Sequence, residues 1–338
     1  MRTGLVVAGV VGGLILGRSR ERFRWDGKVA LIVGGSRGLG LLLARRFGRR
    51  GAKVVLAARS EPELLAAQAE LRCQGIDAEI AVADVANEAQ ASRMVELTVA
   101  RFGRLDVLVN AASIIQVAPL DALSLGDLRA AMDVNFWGTV HACWAALPHL
   151  ERGARIVNVT SIGGEIAVPH LLPYASSKFA ATGFSEGLQA ESARRGIRVV
   201  TVCPWLMRTG SAPHALVKGR RKAEAALFHL AASLPLVTLD AGRAADRIVR
   251  ATERGERFVT VGGLGKILRI AHALAPGAAG VALGWTARLL PGAKKGAASQ
   301  PASEAREHPS VWTRSPLTTL GRQAGARNNE VGVIAPSL

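Results

Sequence analysis

Seven short apolar runs, rich in β-branched residues, alternate with helix-length segments between Lys28 and Gly263. The runs are Val29–Gly34, Lys53–Ala58, Ala78–Ala83, Leu105–Asn110, Arg155–Thr160, Arg198–Cys203 and Arg257–Val261. Helical periodicity follows the first run as far as Arg50 and returns in residues 61–74, 87–103, 124–150, 174–195 and 240–254. Strands that alternate with helices indicate a parallel sheet with right-handed crossovers. The sequence therefore predicts an α/β fold with a doubly wound, seven-stranded parallel sheet.

Apolar extensions flank this region on both sides. Gly4–Gly17 has fourteen uncharged residues, whereas a membrane-spanning helix needs about 20 apolar residues. We interpret residues 1–24 as an apolar arm or membrane anchor with a basic flank; a flexible peripheral arm is the alternative. The composition of residues 264–291 predicts two apolar helices that lie in a membrane interface, cap the sheet or build the substrate mouth. Residues 292–338 have the composition of a linker and a partly disordered tail, which leaves residues 25–263 for the α/β domain.

The formal net charge of +17 suits nucleic acid, an anionic membrane surface or an anionic cofactor. The basic clusters at Arg18–Arg24 and Lys218–Lys222 lack the regular aromatic interleaving that stacks on bases, so we expect no nucleic-acid partner. By the positive-inside rule, the arginines favour a domain on the cytoplasmic face of a membrane, with a cytoplasmic protein as the alternative. The three cysteines show no metal-ligand spacing, so we expect reduced core cysteines and no metal site.

A glycine-rich turn follows the first run directly. Its sequence from Gly34 is GGSRGLG, with the spacing G-x-x-x-G-x-G. Glycines permit a tight turn and close approach of a pyrophosphate, which then lies at the positive N-terminus of the next helix. A plain strand–helix corner is the alternative, but the position after the first strand favours a dinucleotide site.

The end of the second run bears on the choice of cofactor. It reads Ala57-Ala58-Arg59, where an acidic residue would bind the ribose of NAD and an arginine accommodates the 2′-phosphate of NADP. Arg37 in the glycine loop adds a second guanidinium, so we expect NADP(H) and less readily NAD(H). Two solvated surface arginines are the alternative. Asp84, after the third run, either meets the adenine edge or caps the following helix.

One stretch brings together three polar groups. Ser161 follows an apolar run, and Tyr174, the only tyrosine of the chain, precedes Lys178 by four residues. If the segment from Pro173 is helical, Tyr174 and Lys178 lie on one face. Strand ends and helix starts are where α/β proteins place their chemistry.

Taken in order, these motifs resemble those of the short-chain dehydrogenase/reductase family, from Lys28 to Gly263. The resemblance implies a Rossmann-type fold, here with apolar N-terminal and C-terminal helical appendages. The catalytic residues that it implies are Asn135, Ser161, Tyr174 and Lys178. The implied cofactor-binding residues are Gly34, Ser36, Arg37, Gly38, Leu39, Gly40, Arg59, Asp84, Val85, Asn110, Tyr174, Lys178, Pro204 and Thr209.

The resemblance also implies the roles of these groups. Tyr174 acts as general acid and base, and the positive charge of Lys178 lowers its pKa from the usual value of about 10. Ser161 binds the substrate oxygen, Lys178 also binds the nicotinamide ribose, and Asn135 holds a water that relays protons. The alternatives are a packing role for Tyr174, a turn cap for Ser161 and a brace at a helix kink for Asn135. The sequence departs from the family pattern at Val33, Ala111, Ser113 and Trp205. The first three bear on cofactor affinity, and Trp205 could line the substrate pocket.

The sequence thus predicts an NADPH-dependent oxidoreductase that acts on a carbonyl or a secondary alcohol. The variable region 205–238 is rich in leucine, which favours a lipophilic substrate, although these leucines could simply pack on the sheet. A non-catalytic NADP(H)-binding sensor or scaffold is the alternative. An extended epimerase-like relative would have a differently spaced glycine loop. The family resemblance also suggests a homo-oligomer formed through the helices that hold Asn135 and Tyr174.

Overall fold

A computed structural model describes residues 23–234, 238–292, 300–301 and 319–330 of the chain. Its centre is a seven-stranded sheet in which every neighbouring pair is parallel. The strands are β1 Val29–Val33, β2 Lys53–Ala58, β3 Ala78–Val82, β4 Leu105–Asn110, β5 Leu150–Val159, β6 Arg198–Pro204 and β7 Phe258–Val261. Their spatial order is β7-β6-β5-β4-β1-β2-β3. The order reverses next to β1, so ligands of such a sheet bind at the carboxyl ends of β1 and β4. The predicted fold class is confirmed.

Eleven helices occur in the described residues, most of them on the faces of the sheet. They are α1 Gly38–Gly48, α2 Glu61–Cys73, α3 Glu88–Phe102, α4 Leu125–Met132, α5 Gly138–Ala146, α6 Leu172–Ser192, α7 Arg221–Ala231, α8 Ala241–Arg254, α9 Gly263–Leu274, α10 Pro276–Leu289 and α11 Thr319–Arg327. Short two-residue strands at Gln116–Val117 and Leu216–Val217 pair outside the main sheet.

The alternation of side chains along the strands explains the layers. Ala30 and Ile32 of β1 point to a buried cluster that contains the apolar faces of α1, α2 and α8. Leu31 and Val33 point to a second cluster, formed with α3, α5 and α6. Because successive strand residues face opposite sides, a continuous apolar run such as Val29–Val33 is needed where both faces are covered. The core therefore fixes the strand ends that carry the site.

Two predicted boundaries were wrong. The helix expected over residues 124–150 is interrupted by a π-helical turn, Asp133–Trp137, between α4 and α5. β5 begins at Leu150 and not at Arg155. Glu151–Gly153 are exposed, and the pairing of β4 with β5 shifts register after Leu105. An exposed, irregular strand start has no apolar pattern to reveal it.

The N-terminal arm was predicted over residues 1–24, and its first twenty-two residues lie outside the described part of the chain. The two that follow lead into the domain. The amide of Phe23 donates to Glu253 O at 3.0 Å. Trp25 is buried, and its ring stacks on Phe47 with centroids 4.0 Å apart. Phe23 and Trp25 therefore pack on the α/β domain.

The two predicted C-terminal helices are α9 and α10, which meet at an angle of 119°. They carry exposed apolar side chains, among them Ile267, Leu274, Trp285 and Leu289. Among the described residues, no single helix has the length and hydropathy of a membrane span, but the bent pair meets that test together.

Residues 319–330 lie within the segment 292–338 that was expected to be a linker and a partly disordered, loosely docked tail. These form α11 and a following turn, in which Asn328 and Glu330 are about 5 % exposed. Gln300–Pro301 also pairs antiparallel with Leu216–Val217. The polar composition predicted no core for this segment, but its buried groups are polar and bind the α/β domain through hydrogen bonds and ion pairs. The expectation of core cysteines holds for Cys143 and Cys203, whereas Cys73 is exposed.

Candidate active site

Ser161 and Tyr174 meet beyond the carboxyl end of β5. Ser161 begins the short 3-10 turn Ile162–Gly164, and its hydroxyl accepts from Gly163 N at 3.0 Å. The Tyr174 phenol and the Ser161 hydroxyl are hydrogen-bonded. A Cβ on Gly163 would lie 3.2 Å from the Tyr174 ring, so a glycine there gives the phenol room beside the serine. The two hydroxyls predicted to bind one substrate oxygen are therefore adjacent.

Lys178 lies one turn after Tyr174 in α6, as predicted. Its side chain is 98 % buried, and Nζ donates to Val159 O at 3.1 Å. The same Nζ is 5.8 Å from the centroid of the Tyr174 ring. A Cβ on Gly164 would be 2.6 Å from Lys178 O, so the serine loop packs directly on the helix backbone. This packing fixes the distance between the ammonium and the phenol.

Burial controls the acid–base properties of this pair. Burial raises the pKa of Tyr174 above 10.0, and the hydrogen bond from Ser161 offsets part of that rise. Burial also lowers the pKa of Lys178 from 10.5 to about 8. The pKa of Tyr174 is thus raised, whereas the sequence led us to expect a lowering by Lys178. The reason is that the phenol loses its hydration on burial, while the ammonium is engaged with Val159 and lies beside the ring face.

Asn135 is fully buried in the π-helical turn. Its oxygen accepts from Ser113 Oγ at 3.0 Å and from Ile114 N at 2.8 Å. Its amide nitrogen donates to Ile114 O at 3.0 Å and Ser177 Oγ at 2.9 Å. All of its side-chain groups are therefore used to join the segment after β4 to α6. The structure gives Asn135 a positioning role, and the proton-relay water stays a prediction.

The glycine loop has the geometry of a phosphate cradle. Gly34 has φ +79°, and a Cβ on it would lie 2.5 Å from Ala112 N. A Cβ on Gly40 would collide with Gly34 O, so α1 starts tight against the loop. Arg37 is the N-cap of α1 and offers no side-chain cap to its first N–H groups. N–H groups at a helix start bind phosphate, and the residues of this loop therefore fit a dinucleotide.

The predicted arginines differ in their surroundings. Arg37 Nη1 is 3.3 Å from Glu63 Oε1, and Ser36 Oγ donates to Glu63 Oε2 at 3.0 Å. Arg59 has a side chain 64 % exposed, 3.9 Å from Asp84 Oδ2. Asp84 Oδ1 accepts from Ala86 N at 3.0 Å, so its carboxylate shapes the turn before α3. A helix cap was the alternative role for Asp84, but Asn87, three residues further along the chain, caps α3.

Several predicted cofactor residues are at strand ends with their side chains directed inward. Asn110 at the end of β4 donates to Asn158 Oδ1 at 2.8 Å and is buried. Val85 packs against Gly138, and a Cβ built on Gly138 would lie 2.6 Å from a methyl group of Val85. Leu39 and Pro204 are buried on α1 and at the end of β6. These residues support the site through packing and backbone position.

Thr209 and Trp205 lie beyond the carboxyl end of β6, where the family resemblance places the nicotinamide end of a cofactor groove. The Thr209 hydroxyl donates to Ser211 Oγ at 2.8 Å. Trp205 was expected to line the substrate pocket. It packs beside Gly265, and a Cβ built on Gly265 would lie 3.3 Å from the Cβ of Trp205. It therefore contacts the start of α9. Because Gly265 lacks a side chain, the indole can approach this helix.

Three residues near Arg37 were not predicted from the sequence. They are Glu63 of α2, His214 in a short turn, and Glu330 at the end of the described tail. Arg37 Nη1 is 3.1 Å from His214 Nδ1, and Arg37 Nε is 3.6 Å from Glu330 Oε2. No local pattern marks them, because they come from three distant segments. The sequence indicates only that the uncapped glycine loop and Arg37 attract anionic groups.

A profile of the short chain dehydrogenases matches residues 28–216, more than half of the chain. The chain belongs to the short chain dehydrogenase family. The 11-beta-hydroxysteroid dehydrogenase A of Sesamum indicum is 35% identical over 239 residues, which cover 69% of this chain and 68% of that protein. The protein is accordingly an oxidoreductase of a family that uses nicotinamide cofactors on small-molecule substrates.

Two solved structures share the fold. A gluconate 5-dehydrogenase from Burkholderia cenocepacia, in complex with NADP and tartrate, has a TM-score of 0.63 at 31% identity, and the match covers 72% of this chain and 96% of that one. A short chain dehydrogenase/reductase from Burkholderia phymatum, in complex with NAD, has a TM-score of 0.68 at 24% identity over 75% and 95% of the two chains. Both matches show the fold, and the choice of nicotinamide cofactor for this chain stays a proposal.

Proposed function

We propose that this protein is an NADPH-dependent reductase of a lipophilic carbonyl compound, or the corresponding dehydrogenase of a secondary alcohol. One observation carries the proposal: Ser161, Tyr174 and Lys178 meet at the carboxyl end of the sheet, with Lys178 buried and the other two half-buried. A phenol and an ammonium are rarely buried side by side without a function, because burial raises the free energy of their charged forms. We propose residues 25–263 as the catalytic domain.

The chain's own groups would manage the proton. Ser161 Oγ would donate to the substrate oxygen and orient its carbonyl carbon. Tyr174 Oη would donate its proton to the same oxygen, and its raised pKa keeps that proton in place until the substrate is bound. The bound nicotinamide supplies the hydride for reduction and accepts it in the reverse direction. The carbonyl carbon thus gains a hydride and the oxygen a proton, which gives the alcohol. Lys178 would stabilise the phenolate that remains.

The preference for NADP(H) over NAD(H) is supported by the two arginines. Arg37 lies at the start of α1 beside the glycine loop, and Arg59 follows β2 directly. Both are placed at the adenosine end of a Rossmann-type site, where an arginine can bind a 2′-phosphate. The exposed Arg59 side chain is free to reorient, whereas Arg37 already faces Glu63 and Glu330. We therefore assign the main 2′-phosphate contact to Arg37.

A lipophilic substrate is supported by the segment around α7. Val117, Ala215, Val217 and Ala225 form a small buried cluster of their own. Phe228 of α7 packs on this cluster and stays partly exposed. Leu171, three residues before Tyr174, also packs on this cluster, which would give the substrate an apolar wall near the catalytic residues. An oligomer through the helices that hold Asn135 and Tyr174 stays a prediction.

We also propose that α9 and α10 bind the surface of an anionic membrane. Ile267, Leu274, Trp285 and Leu289 are all more than 60 % exposed. The sequence has no acidic residue between Arg257 and Pro301, but it has Lys266, Arg269 and Arg288 among these apolar residues. A basic, apolar helix pair matches the charge and the hydrocarbon boundary of an anionic bilayer.

Vesicle sedimentation tests this proposal. Wild-type protein should pellet with phosphatidylglycerol-containing vesicles, and Leu274→Asp/Leu289→Asp should pellet less by about tenfold. Leu120→Asp removes an apolar side chain with 71 % exposure from another surface and should behave as wild type. Equal pelleting of all three proteins would contradict membrane binding by the helix pair. If the helix pair instead forms a dimer interface, the double variant should have a lower mass in solution than wild type.

The non-catalytic sensor or scaffold is the second candidate function. It is favoured by the contacts of Asn328 and Glu330 with the glycine loop and Arg37, which cover part of the cofactor groove. The two functions differ in turnover. NADPH oxidation measured with a panel of long-chain ketones and aldehydes should be detectable for wild type and lost in Tyr174→Phe. NADPH binding without oxidation by any carbonyl of the panel would support the scaffold.

A further inference from the structure

The C-terminal segment Thr319–Glu330 lies on the cofactor half of the site. Its helix, α11, ends at Arg327, whose carbonyl accepts from Arg45 Nη2 at 2.9 Å. Arg45 is itself fixed by Glu70, with two N–O distances of 2.6 and 2.7 Å. A guanidinium on the last carbonyls of a helix stabilises its end. The chain is thereby led from α11 directly onto the glycine loop.

The loop's first helical N–H is bound by this segment. Gly38 N donates to Asn328 O at 2.8 Å. Asn329, at φ 56°, donates from its side-chain amide to Ser36 O at 3.0 Å. Asparagine tolerates this left-handed backbone better than most residues. The Asn328 carbonyl therefore accepts from the Gly38 N–H at the start of α1, where a phosphate oxygen would otherwise be bound.

A carboxylate occupies the adjoining anion position. The Glu330 side chain is 4 % exposed, and its Oε2 is 3.2 Å from His214 Nε2 and 3.6 Å from Arg37 Nε. A Cβ on Gly38 would collide with the other oxygen, Oε1, so the carboxylate lies against the glycine loop itself. Burial raises the pKa of Glu330 to about 7, against the opposing effect of Arg37. An acid is thus held where the loop and Arg37 converge.

The same segment reaches the nicotinamide end of the groove. Asn328 Nδ2 donates to Thr209 O at 2.8 Å. Gly210 has φ +95°, and a Cβ on it would meet Gly325 N at 2.6 Å, so α11 packs on the backbone after Thr209. Ser36, Arg37, Gly38 and Thr209, all predicted to bind the cofactor, are therefore contacted by three consecutive tail residues.

We propose that Asn328–Glu330 is an intramolecular competitor of the dinucleotide, in which the Asn328 carbonyl and the Glu330 carboxylate occupy positions of phosphate oxygens. The inference rests on the proposed function, since it takes the glycine loop and Arg37 as the cofactor site. NADP(H) binds only after the segment has left the loop. A tethered competitor acts at a high effective concentration, and the apparent Kd of the cofactor is divided by the fraction of molecules with an open site. The C-terminus is therefore an autoinhibitory element that sets the affinity for cofactor.

The test is a fluorescence titration of the full-length protein with NADPH. Asn328→Ala/Glu330→Gln removes one side-chain bond and the buried charge, and it should lower the Kd for NADPH by about tenfold. Glu96→Gln, which removes an exposed carboxylate from α3, should leave the Kd unchanged. An unchanged Kd in the double variant overturns the proposal, and a higher Kd overturns it too, because the segment would then be part of the cofactor site.

Hydrogen–deuterium exchange gives an independent readout that does not depend on a substitution. Backbone amides of residues 319–330 should exchange faster in wild type at saturating NADPH, and equal protection with and without NADPH contradicts displacement. The proposed function is separable in the same titration. If neither wild type nor the double variant binds NADPH or NADH, the assignment of the cofactor site fails; if both bind NADPH equally, only the competitor fails.

Discussion

The two ends of the site were predictable to different degrees. At the catalytic end, Ser161, Tyr174 and Lys178 come from one stretch of eighteen residues and meet as their spacing predicts. At the phosphate end, Arg37 was predicted, but its partners Glu63, His214 and Glu330 come from three distant segments. Helix periodicity fixes neighbours four residues apart, whereas only tertiary packing brings together residues nearly three hundred apart. The contrast fits a catalytic end that carries out the reaction and a phosphate end that, as proposed above, regulates the affinity for cofactor.

The largest expected effect is on the catalytic end. Tyr174→Phe keeps the ring that packs beside Gly163 but removes the proton donor. We expect kcat to fall by about 10³, within the range for loss of a general acid. Stopped-flow NADPH oxidation measures this, and the Kd for NADPH should stay within about twofold of wild type. A variant that keeps a tenth or more of the activity would contradict the role of Tyr174 as the acid.

Lys178 gives a pH-dependent effect on stability. Burial lowers its pKa from 10.5 to about 8, so the folded state binds fewer protons than the unfolded state between these values. Stability therefore rises with pH across this window. Relative to Lys178→Met, the wild type should gain about 3 kcal/mol of unfolding free energy between pH 7.5 and 10.5. Urea unfolding at several pH values measures this, and parallel curves for the two proteins would show that Lys178 is not desolvated.

Asn135 separates positioning from chemistry. Asn135→Ala leaves the half-buried Ile114 N–H and C=O without their partner and removes the donor to the buried Ser177 hydroxyl. We expect a loss of about 2–3 kcal/mol of stability, typical of unpaired buried polar groups. Ser211→Ala removes a hydroxyl partner of Thr209 at a partly exposed position and should change stability far less. Thermal unfolding followed by circular dichroism compares the two, and equal melting temperatures would contradict the bracing role.

The smallest expected effects concern Arg37 and Arg59, and they sharpen the comparison between the two ends. Arg37→Ala should weaken NADPH about tenfold in a Glu330→Gln background and less in wild type, because the arginine binds both the phosphate and the competing carboxylate. Arg59→Ala, at an exposed side chain, should weaken NADPH by about threefold. NADH should be affected less by either change. Isothermal titration measures the Kd of each variant for NADPH and for NADH, and equal losses for NADH and NADPH would refute the 2′-phosphate assignment.

How far the sequence predicts this protein depends on the range of the interactions. The strand runs predicted the sheet because burial on both faces requires continuous apolar residues such as Val29–Val33. The start of β5 was missed because Glu151–Gly153 are exposed, and the π-helical turn at Asn135 was missed because it leaves the apolar period almost unchanged. The contacts that the tail makes with the α/β domain were not predicted, for a further reason. The buried residues of the tail are polar, so their burial depends on partners that no local pattern contains.

The central claim is that the Tyr174 cluster supports hydride transfer between NADPH and a carbonyl carbon. Single-turnover reactions with NADPH deuterated at C4 of the nicotinamide, followed by mass spectrometry of the product alcohol, test it directly. The account predicts one deuterium on the carbinol carbon with wild type and none above background with Tyr174→Phe. Bound NADPH that transfers no deuterium to any ketone or aldehyde, even in the Asn328→Ala/Glu330→Gln variant with its open cofactor site, would contradict it.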